Sequence, residues 1–118
     1  MRIGIFVVVA IALVAGEAAR ADNVFVGAGA LSCGDLARRY RESPGIFEAV
    51  YFAWAQGFMS GLNASDVRAS GKARDLSSMT TDEQRRRLRI YCDAHPLADY
   101  FAAVLDLYKE LNIAEPPR

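Results

Sequence analysis

The stretch FAWAQGFMSGL, residues 52–62, decides the fold of this chain of 118 residues. Large apolar side chains dominate it, yet Gly57 and Gly61 interrupt it four residues apart. Each glycine costs a helix interior about 1 kcal/mol relative to alanine, so a helix that keeps both needs a compensating contact. Residues four apart lie on one face of a helix. The stretch therefore predicts a helix with one unusually smooth face.

The smooth face continues toward the N-terminal end of the same helix. Ala49 and Ala53 precede Gly57 and Gly61 at the same spacing, so four small residues form one stripe. Such a stripe lets another backbone approach closely. We interpret it as the groove that receives another helix of the same domain, and a homodimer interface is the alternative. The membrane form of this motif is disfavoured because Glu48 lies within the helix.

The helix that contains this stretch is predicted to run from about residue 44 to about residue 64. Ser43 and Pro44 suit its N-cap and its first position. The helix is apolar nearly all round, which is typical of a central helix covered on several sides. Phe52 and Met59 form a second apolar face beside a broad arc. That arc holds the other large apolar side chains: Ile46, Phe47, Val50, Tyr51, Trp54, Phe58 and Leu62.

Shorter helices are predicted on either side of this one. The first follows Ser32, a suitable N-cap, and runs through CGDLARRYR. Thr80 opens a capping box for the next helix, and an amphipathic helix covers residues 97 to about 112. No stretch has the pattern of a strand. The prediction is an all-α fold, a small bundle of three to four helices around the central apolar helix.

Three segments are predicted to be irregular. Residues 22–30 are small and Gly-rich, which is typical of a loose arm or a short extended segment. Residues 63–80 are polar and are interpreted as a linker inside the domain. Residues 113–118 are expected to form a frayed tail.

The N-terminal residues predict export. Arg2 precedes an apolar run over residues 3–15, and Ala19 and Ala21 form an Ala-x-Ala site before Asp22. This layout indicates a signal peptide, residues 1–21, followed by a single domain, residues 22–118, in the periplasm. An uncleaved anchor is the alternative, but a run of about 13 residues is shorter than the roughly 20 that span a membrane.

The chain has two cysteines, Cys33 and Cys92. An even count in an exported chain favours a disulfide, which here would tie the first helix to the third. Closing that loop would stabilise the fold by about 4 kcal/mol in the chain-entropy model. Two free thiols are the alternative. A zinc site is not supported, because two thiols and His95 fall short of four ligands.

Composition and motifs exclude several classes of function. Fourteen basic residues balance fourteen acidic ones, so no nucleic-acid footprint is present. His95, the only histidine, is expected to cap the C-terminal end of a helix, although it could act as a base toward a Cys33 nucleophile. No phosphate-binding loop, metalloprotease motif or carboxylate pair appears. We therefore expect no enzyme, no cofactor and no metal.

The order of these motifs resembles the HdeA/HdeB family of periplasmic acid-stress chaperones. The matching segments are LSCGDL, WAQGFMSGLN and IYCDAHPLADYFAAVLDL, which span most of residues 22–118. The resemblance implies one disulfide, Cys33–Cys92, in a small helical protein that is dimeric near neutral pH. It implies that acid dissociates or loosens the protein, which then binds denatured clients through apolar surface without ATP. The candidate client or dimer surface on the second helix is Phe52, Trp54, Phe58 and Met59.

A second resemblance is to the Tai-type immunity proteins, which neutralise cell-wall amidase toxins. Their pattern C-x-G-[aromatic]-x-x-G is similar to residues 55–61, but Ala55 stands where that pattern has cysteine. This resemblance implies a single specific partner, a secreted cell-wall-degrading enzyme, bound independently of pH. A non-catalytic interaction module of neither kind is a further alternative.

Overall fold

The computed structural model describes residues 26–114 and contains four α-helices and a short 3-10 helix in this range. The 3-10 helix is Gly27–Ala30, and the α-helices are α1 (Cys33–Glu42), α2 (Pro44–Ser70), α3 (Thr81–Ala94) and α4 (Tyr100–Glu110). No strand forms within these residues, where only two isolated bridges occur. The predicted signal peptide, residues 22–25 of the predicted arm and residues 115–118 of the predicted tail lie outside the described range. The all-α prediction is confirmed.

One disulfide ties two helices of the bundle together. Cys33 begins α1 and Cys92 lies near the end of α3, with 4.6 Å between their Cα atoms and both side chains buried. The two helices therefore run antiparallel from the bridge. α4 packs against both of them, and α2 packs against α1, α4 and the 3-10 helix. The predicted small bundle with one disulfide is confirmed, and the alternative of free thiols is wrong.

The predicted helix starts are found with one difference. The side chain of Ser32 accepts a hydrogen bond from the Asp35 amide at 3.1 Å, and that of Thr80 accepts one from the Glu83 amide at 3.3 Å. Pro44 occupies the first turn of α2, but Ser43 makes no side-chain capping bond. The fixed φ of proline, rather than a cap, marks this start.

α2 is longer than predicted, and the predicted linker at residues 63–80 is wrong over its first eight residues. Residues 63–70 continue the helix, which ends at Gly71 with φ +71°. The side chain of Asn63 exchanges two hydrogen bonds of 2.8 Å with the backbone of Arg74. The hydroxyl of Tyr108 lies 2.6 Å from a carboxylate oxygen of Asp66. These tertiary bonds stabilise a helix whose polar sequence has the composition of a linker.

The predicted arm and tail are also more ordered than expected. Residues 27–30 form the 3-10 helix, which α2 holds through a 2.9 Å hydrogen bond from Trp54 Nε1 to the carbonyl of Val26. At the other end, the amide of Ala114 donates to the carbonyl of Ala73 at 2.8 Å. The expectations of a loose arm and of a tail that frays from residue 113 are therefore wrong for the described residues.

The start of α4 is later than predicted. Residues 97–99 lie outside the helix, because the chain there pairs with the segment that precedes α1. The amide of Cys33 donates to the carbonyl of Ala98, and the amide of Tyr100 donates to the carbonyl of Leu31, both at 2.8 Å. These bonds pair backbone amide and carbonyl groups that lie beside the disulfide.

The core lies on one side of α2 only. Tyr51, Phe52, Ala55 and Met59 are buried there against the other helices. The expectation of cover on several sides is wrong. The predicted arc is also rotated, since Ile46 at its edge is exposed. Within residues 44–64 the only charged side chain is Glu48, which pairs with Arg89 of α3. Charge therefore does not mark the side that faces solvent, and the apolar pattern alone cannot fix the rotation.

Candidate functional site

The side of α2 that points away from the bundle forms the most unusual surface of the described chain, and we refer to it as the outer face. Three of its aliphatic side chains are half or more exposed: Ile46 at 71%, Val50 at 57% and Val67 at 50%. The face extends over about 30 Å of helix, and the exposed Arg68 lies at its C-terminal end. It consists of Ile46, Ala49, Val50, Ala53, Gln56, Gly57, Ser60, Gly61, Ala64 and Val67.

The predicted helix-contact groove lies on this outer face. Ala49 and Ala53 are exposed, and a Cβ added to Gly57 or Gly61 would meet no neighbouring atom within 4 Å. The interpretation of the stripe as a groove for another helix of the same domain is therefore wrong. The small residues instead make a flat surface that is open to solvent. The homodimer alternative stays a prediction.

The predicted client surface is divided between the core and the edge of the bundle. Phe52 and Met59 are buried, with exposures of 3% and 0%, so neither is accessible in the folded state. Trp54 and Phe58 are half-buried and stack with their ring centroids 5.1 Å apart. Phe58 also meets Phe101 of α4 edge to face at 6.1 Å. The four predicted residues thus form a layer that only loosening of the bundle would open completely.

Arginines of α3 cover part of this layer. The guanidinium of Arg85 lies 4.9 Å from the centre of the Phe52 ring. Arg89 pairs with Glu48 of α2, and its guanidinium lies 5.2 Å from the centre of the Tyr40 ring. Two of the four arginines in the basic run RRRLR, residues 85–89, therefore pack on aromatic rings of the neighbouring helices. The sequence does not predict these contacts, because a helix whose arginines only face solvent could have the same sequence.

Three partly exposed carboxylates stabilise the fold only while they are ionised. Hydrogen bonds from Arg38 and Ser32 hold the pKa of Asp35 below its usual value. Hydrogen bonds from Arg86 and Arg87 lower the pKa of Glu83. The side chain and amide of Ser77 lower the pKa of Asp75. Two of these carboxylates lie in the first turns of α1 and α3, where negative charge also favours the helix dipole.

Two buried tyrosines have pKa values above the ordinary range. Burial raises the pKa of Tyr108 to about 12, and its hydrogen bond to Asp66 acts in the same direction. Burial also raises the pKa of Tyr100, whose hydroxyl donates to the carbonyl of Tyr51 at 3.1 Å. Both phenols are therefore neutral hydrogen-bond donors at physiological pH and fix the position of α4 on α2.

The residues considered for catalysis have structural roles. Both sulfurs form the disulfide, so Cys33 has no thiolate with which to attack a substrate. His95 is the C-cap residue of α3, as predicted, with its Nδ1 2.9 Å from the carbonyl oxygen of Tyr91 and its ring stacked on that of Tyr91. Within residues 26–114, no cluster of three His, Cys, Asp or Glu side chains is arranged to hold a metal ion.

None of the helices between residues 26 and 114 is both long and apolar enough to cross a membrane. No protein-family model matches the chain, and no curated protein or solved structure shows significant similarity to it. The resemblances to the HdeA/HdeB and Tai-type proteins therefore rest on the motifs quoted above. The function has to be argued from the surfaces of the molecule itself.

Proposed function

We propose that this chain is an exported, ATP-independent chaperone that binds denatured proteins in acid, as the HdeA/HdeB resemblance implies. The observation that carries the proposal is the outer face of α2, a largely apolar surface about 30 Å long on a small protein. Exposed apolar surface of this continuity is typical of protein-binding sites. The apolar layer of Phe52, Trp54, Phe58 and Met59 belongs to the same helix and would extend this surface once the bundle loosens.

Acid would loosen the bundle through its ionised carboxylates. Asp35 and Glu83 have folded-state pKa values below their ordinary ones, so their contribution to stability is complete above about pH 4.5. The contribution is lost as the pH falls through the lowered folded-state values, because protonation removes the ion pairs with the arginines. Self-repulsion of the basic residues then opposes the compact state. The disulfide would keep α1 and α3 together during this loosening.

Near neutral pH, we expect a second copy of the chain to cover the outer face. In an antiparallel pair centred on Gly57, Ala53 of one copy lies opposite Gly61 of the other, and Val50 lies opposite Ala64. Small residues thus face each other at the centre, where two backbones approach most closely. Such a contact covers roughly 300 Å² per copy, below the about 800 Å² of a standard interface. We therefore expect a weak dimer, and the HdeA/HdeB resemblance implies that acid dissociates it.

Export to the periplasm is part of the same proposal. A buried disulfide is compatible with an oxidising compartment, and disulfides are rare in cytosolic proteins. The expected signal peptide supports this location. Mass spectrometry of the protein recovered from the cell envelope would test it, because cleavage after Ala21 leaves Asp22 as the first residue.

Aggregation assays at about pH 2–3 test the chaperone function, because the carboxylates are protonated there. The wild-type protein should suppress the aggregation of a denatured client at stoichiometric amounts in acid and not at pH 7. Val50→Ser on the outer face should weaken the suppression. The matched control is Leu97→Ser, since Leu97 is 96% exposed but lies in the turn before α4. No suppression by the wild-type protein in acid would rule the function out.

A second candidate is an inhibitor of one secreted cell-wall-degrading enzyme, as the Tai-type resemblance implies. One observation favours it: the outer face is available without any loosening of the fold. Such an inhibitor should bind its enzyme tightly at pH 7 and fail to protect denatured clients in acid. Calorimetric titration with cell-wall amidases encoded beside the gene separates the two candidates.

A further inference from the structure

A cleft between α1 and α3 is separate from the outer face of α2. Its volume is about 340 Å³, and no α2 residue lines it. This volume lies at the lower end of the range of roughly 300–1,000 Å³ that is typical of small-molecule sites. The disulfide joins the two helices and fixes their separation at one end. The cleft therefore lies between two helices that are covalently joined.

The floor of this cleft is apolar. Leu36 and Cys92 are buried beneath it, and Ile90 lines it with half of its side chain exposed. Ala37 and the ring of Tyr40 contribute the α1 wall. A ligand that displaces water from these groups would gain about 25 cal/mol for each Å² of apolar surface that it covers. The floor suits an aliphatic or aromatic group.

The rim of the cleft is basic. Three arginines line it, of which Arg86 is bonded to Glu83 and Arg89 is paired with Glu48. Arg41 is exposed and has no acidic partner among residues 26–114. Its guanidinium can thus donate two parallel hydrogen bonds to a planar anion without breaking an existing ion pair.

One acidic residue limits the charge of the anion. Asp93 lines the same cleft, and Arg86 and Arg89 are each paired with a glutamate, so Arg41 is the one arginine of the lining without an ion pair among residues 26–114. The carboxylate of Asp93 would repel a ligand with several negative charges. A phosphate monoester carries about −1.5 to −2 charges at pH 7, whereas a carboxylate carries one. The single unpaired guanidinium beside Asp93 therefore favours a singly charged carboxylate.

We propose that this cleft binds a small carboxylate with an apolar tail. The carboxylate pairs with the free guanidinium of Arg41, and the tail lies on Ile90 and Leu36 between the two helices. The ligand contacts α1 and α3 together in their folded arrangement, so it stabilises the folded state. This activity does not depend on client binding, and it is separate from the proposed chaperone function.

Titration of the full folded chain with hexanoate at pH 7, followed by amide NMR, tests the site. Hexanoate should give saturable shifts confined to residues 36–41 and 86–93. Hexanol, which has the same tail without charge, should bind at least about tenfold more weakly, because a charged hydrogen bond is lost. Absence of saturable shifts with hexanoate, or equal binding of hexanol, would overturn the proposal.

Matched arginine variants test whether Arg41 binds the carboxylate of hexanoate. Arg41→Gln should weaken hexanoate about tenfold or more, and Arg68→Gln, an exposed arginine on α2, should leave it unchanged. Their NMR spectra without ligand show whether each variant is folded. Hexyl phosphate should bind no more tightly than hexanoate, and tighter binding would contradict the limit set by Asp93. Equal effects of the two arginine variants would reduce the interaction to general electrostatic attraction and overturn the site.

Discussion

Gly29 of the 3-10 helix lies directly beneath the indole of Trp54. A Cβ at position 29 would overlap the ring carbons Cζ2 and Cη2, and both Gly29 and the neighbouring Ala28 are buried. The same indole donates a 2.9 Å hydrogen bond from Nε1 to the carbonyl of Val26. The N-terminal segment is thus part of the packed structure, and it covers one of the aromatic residues assigned to client binding.

Gly29→Ala should therefore destabilise the folded state. The added methyl must displace the indole or the turn, and overpacking of this kind costs about 1–3 kcal/mol. Urea unfolding followed by Trp54 fluorescence measures the change, and the emission maximum of the folded variant should shift toward that of an exposed indole. Unchanged stability would mean that the turn does not pack on Trp54 in solution.

Gly57→Ala and Gly61→Ala should have the opposite effect. No atom lies within 4 Å of a Cβ at either position, so each methyl adds helix propensity without a clash. We expect each to raise the free energy of unfolding by up to about 1 kcal/mol. The same substitutions should weaken the proposed dimer, because the methyl groups separate the two backbones at its centre. Sedimentation at pH 7 measures the association independently of urea unfolding.

A gain in stability without any change in association would contradict the dimer and leave the outer face to another partner. A loss of stability would contradict the exposed position of the stripe. Ala53→Gly serves as the reverse control, since it should cost the helix about 1 kcal/mol without adding bulk.

The sequence predicted local features better than the rotation of α2. The caps at Ser32 and Thr80 and the pairing of Cys33 with Cys92 depend on a few residues each, and all three are confirmed. The buried side of α2 was not predicted, because apolar residues surround the helix almost evenly. Phe52 and Met59, the second face, are buried because the other helices pack on them, and the pattern of α2 alone does not show where those helices pack.

The polar segments were misjudged for a related reason. Residues 63–70 have the composition of a loop, yet bonds from Tyr108 and the backbone of Arg74 to side chains of this segment stabilise the helix. These partners are separated from Asn63 by 11 and 45 positions in the chain. Local pattern contains no information on such contacts. The cleft between α1 and α3 was missed likewise, since it is formed by two helices that are distant in sequence.

Removal of the disulfide should cost much of the stability of the fold. The bridge closes a loop with a sequence separation of 59 residues, for which the chain-entropy model gives about 4 kcal/mol. The double variant Cys33→Ala and Cys92→Ala should therefore unfold at a much lower urea concentration than the oxidised protein. Wild-type protein unfolded in a reducing agent is the control and should lose a similar amount. Alkylation of either cysteine without prior reduction would show that the bridge is absent.

Tyr108→Phe should remove the alkaline sensitivity of the contact between α2 and α4. The pKa of Tyr108 is raised to about 12, so its contribution to stability is complete below about pH 10 and is lost as the pH rises through the folded-state value. At pH 7 the variant should lose about 1–2 kcal/mol, because the hydroxyl bonds to Asn63 and Asp66 are gone. The difference from the wild type should shrink at high pH. A constant difference would assign the effect to packing alone.

Glu83→Gln should reduce the acid sensitivity on which the proposed function depends. Hydrogen bonds from Arg86 and Arg87 lower the folded-state pKa of Glu83, so the ionised form stabilises the fold above about pH 4.5. The variant should be less stable than the wild type at pH 7, and the two should converge as the pH falls below the lowered pKa. Near-UV circular dichroism from pH 7 to pH 2 follows this convergence.

Asp106→Asn is the control, because Asp106 is exposed and makes no ion pair within residues 26–114. A stability difference that is independent of pH would show that Glu83 acts through its shape or its capping position, and acid loosening would then need other carboxylates.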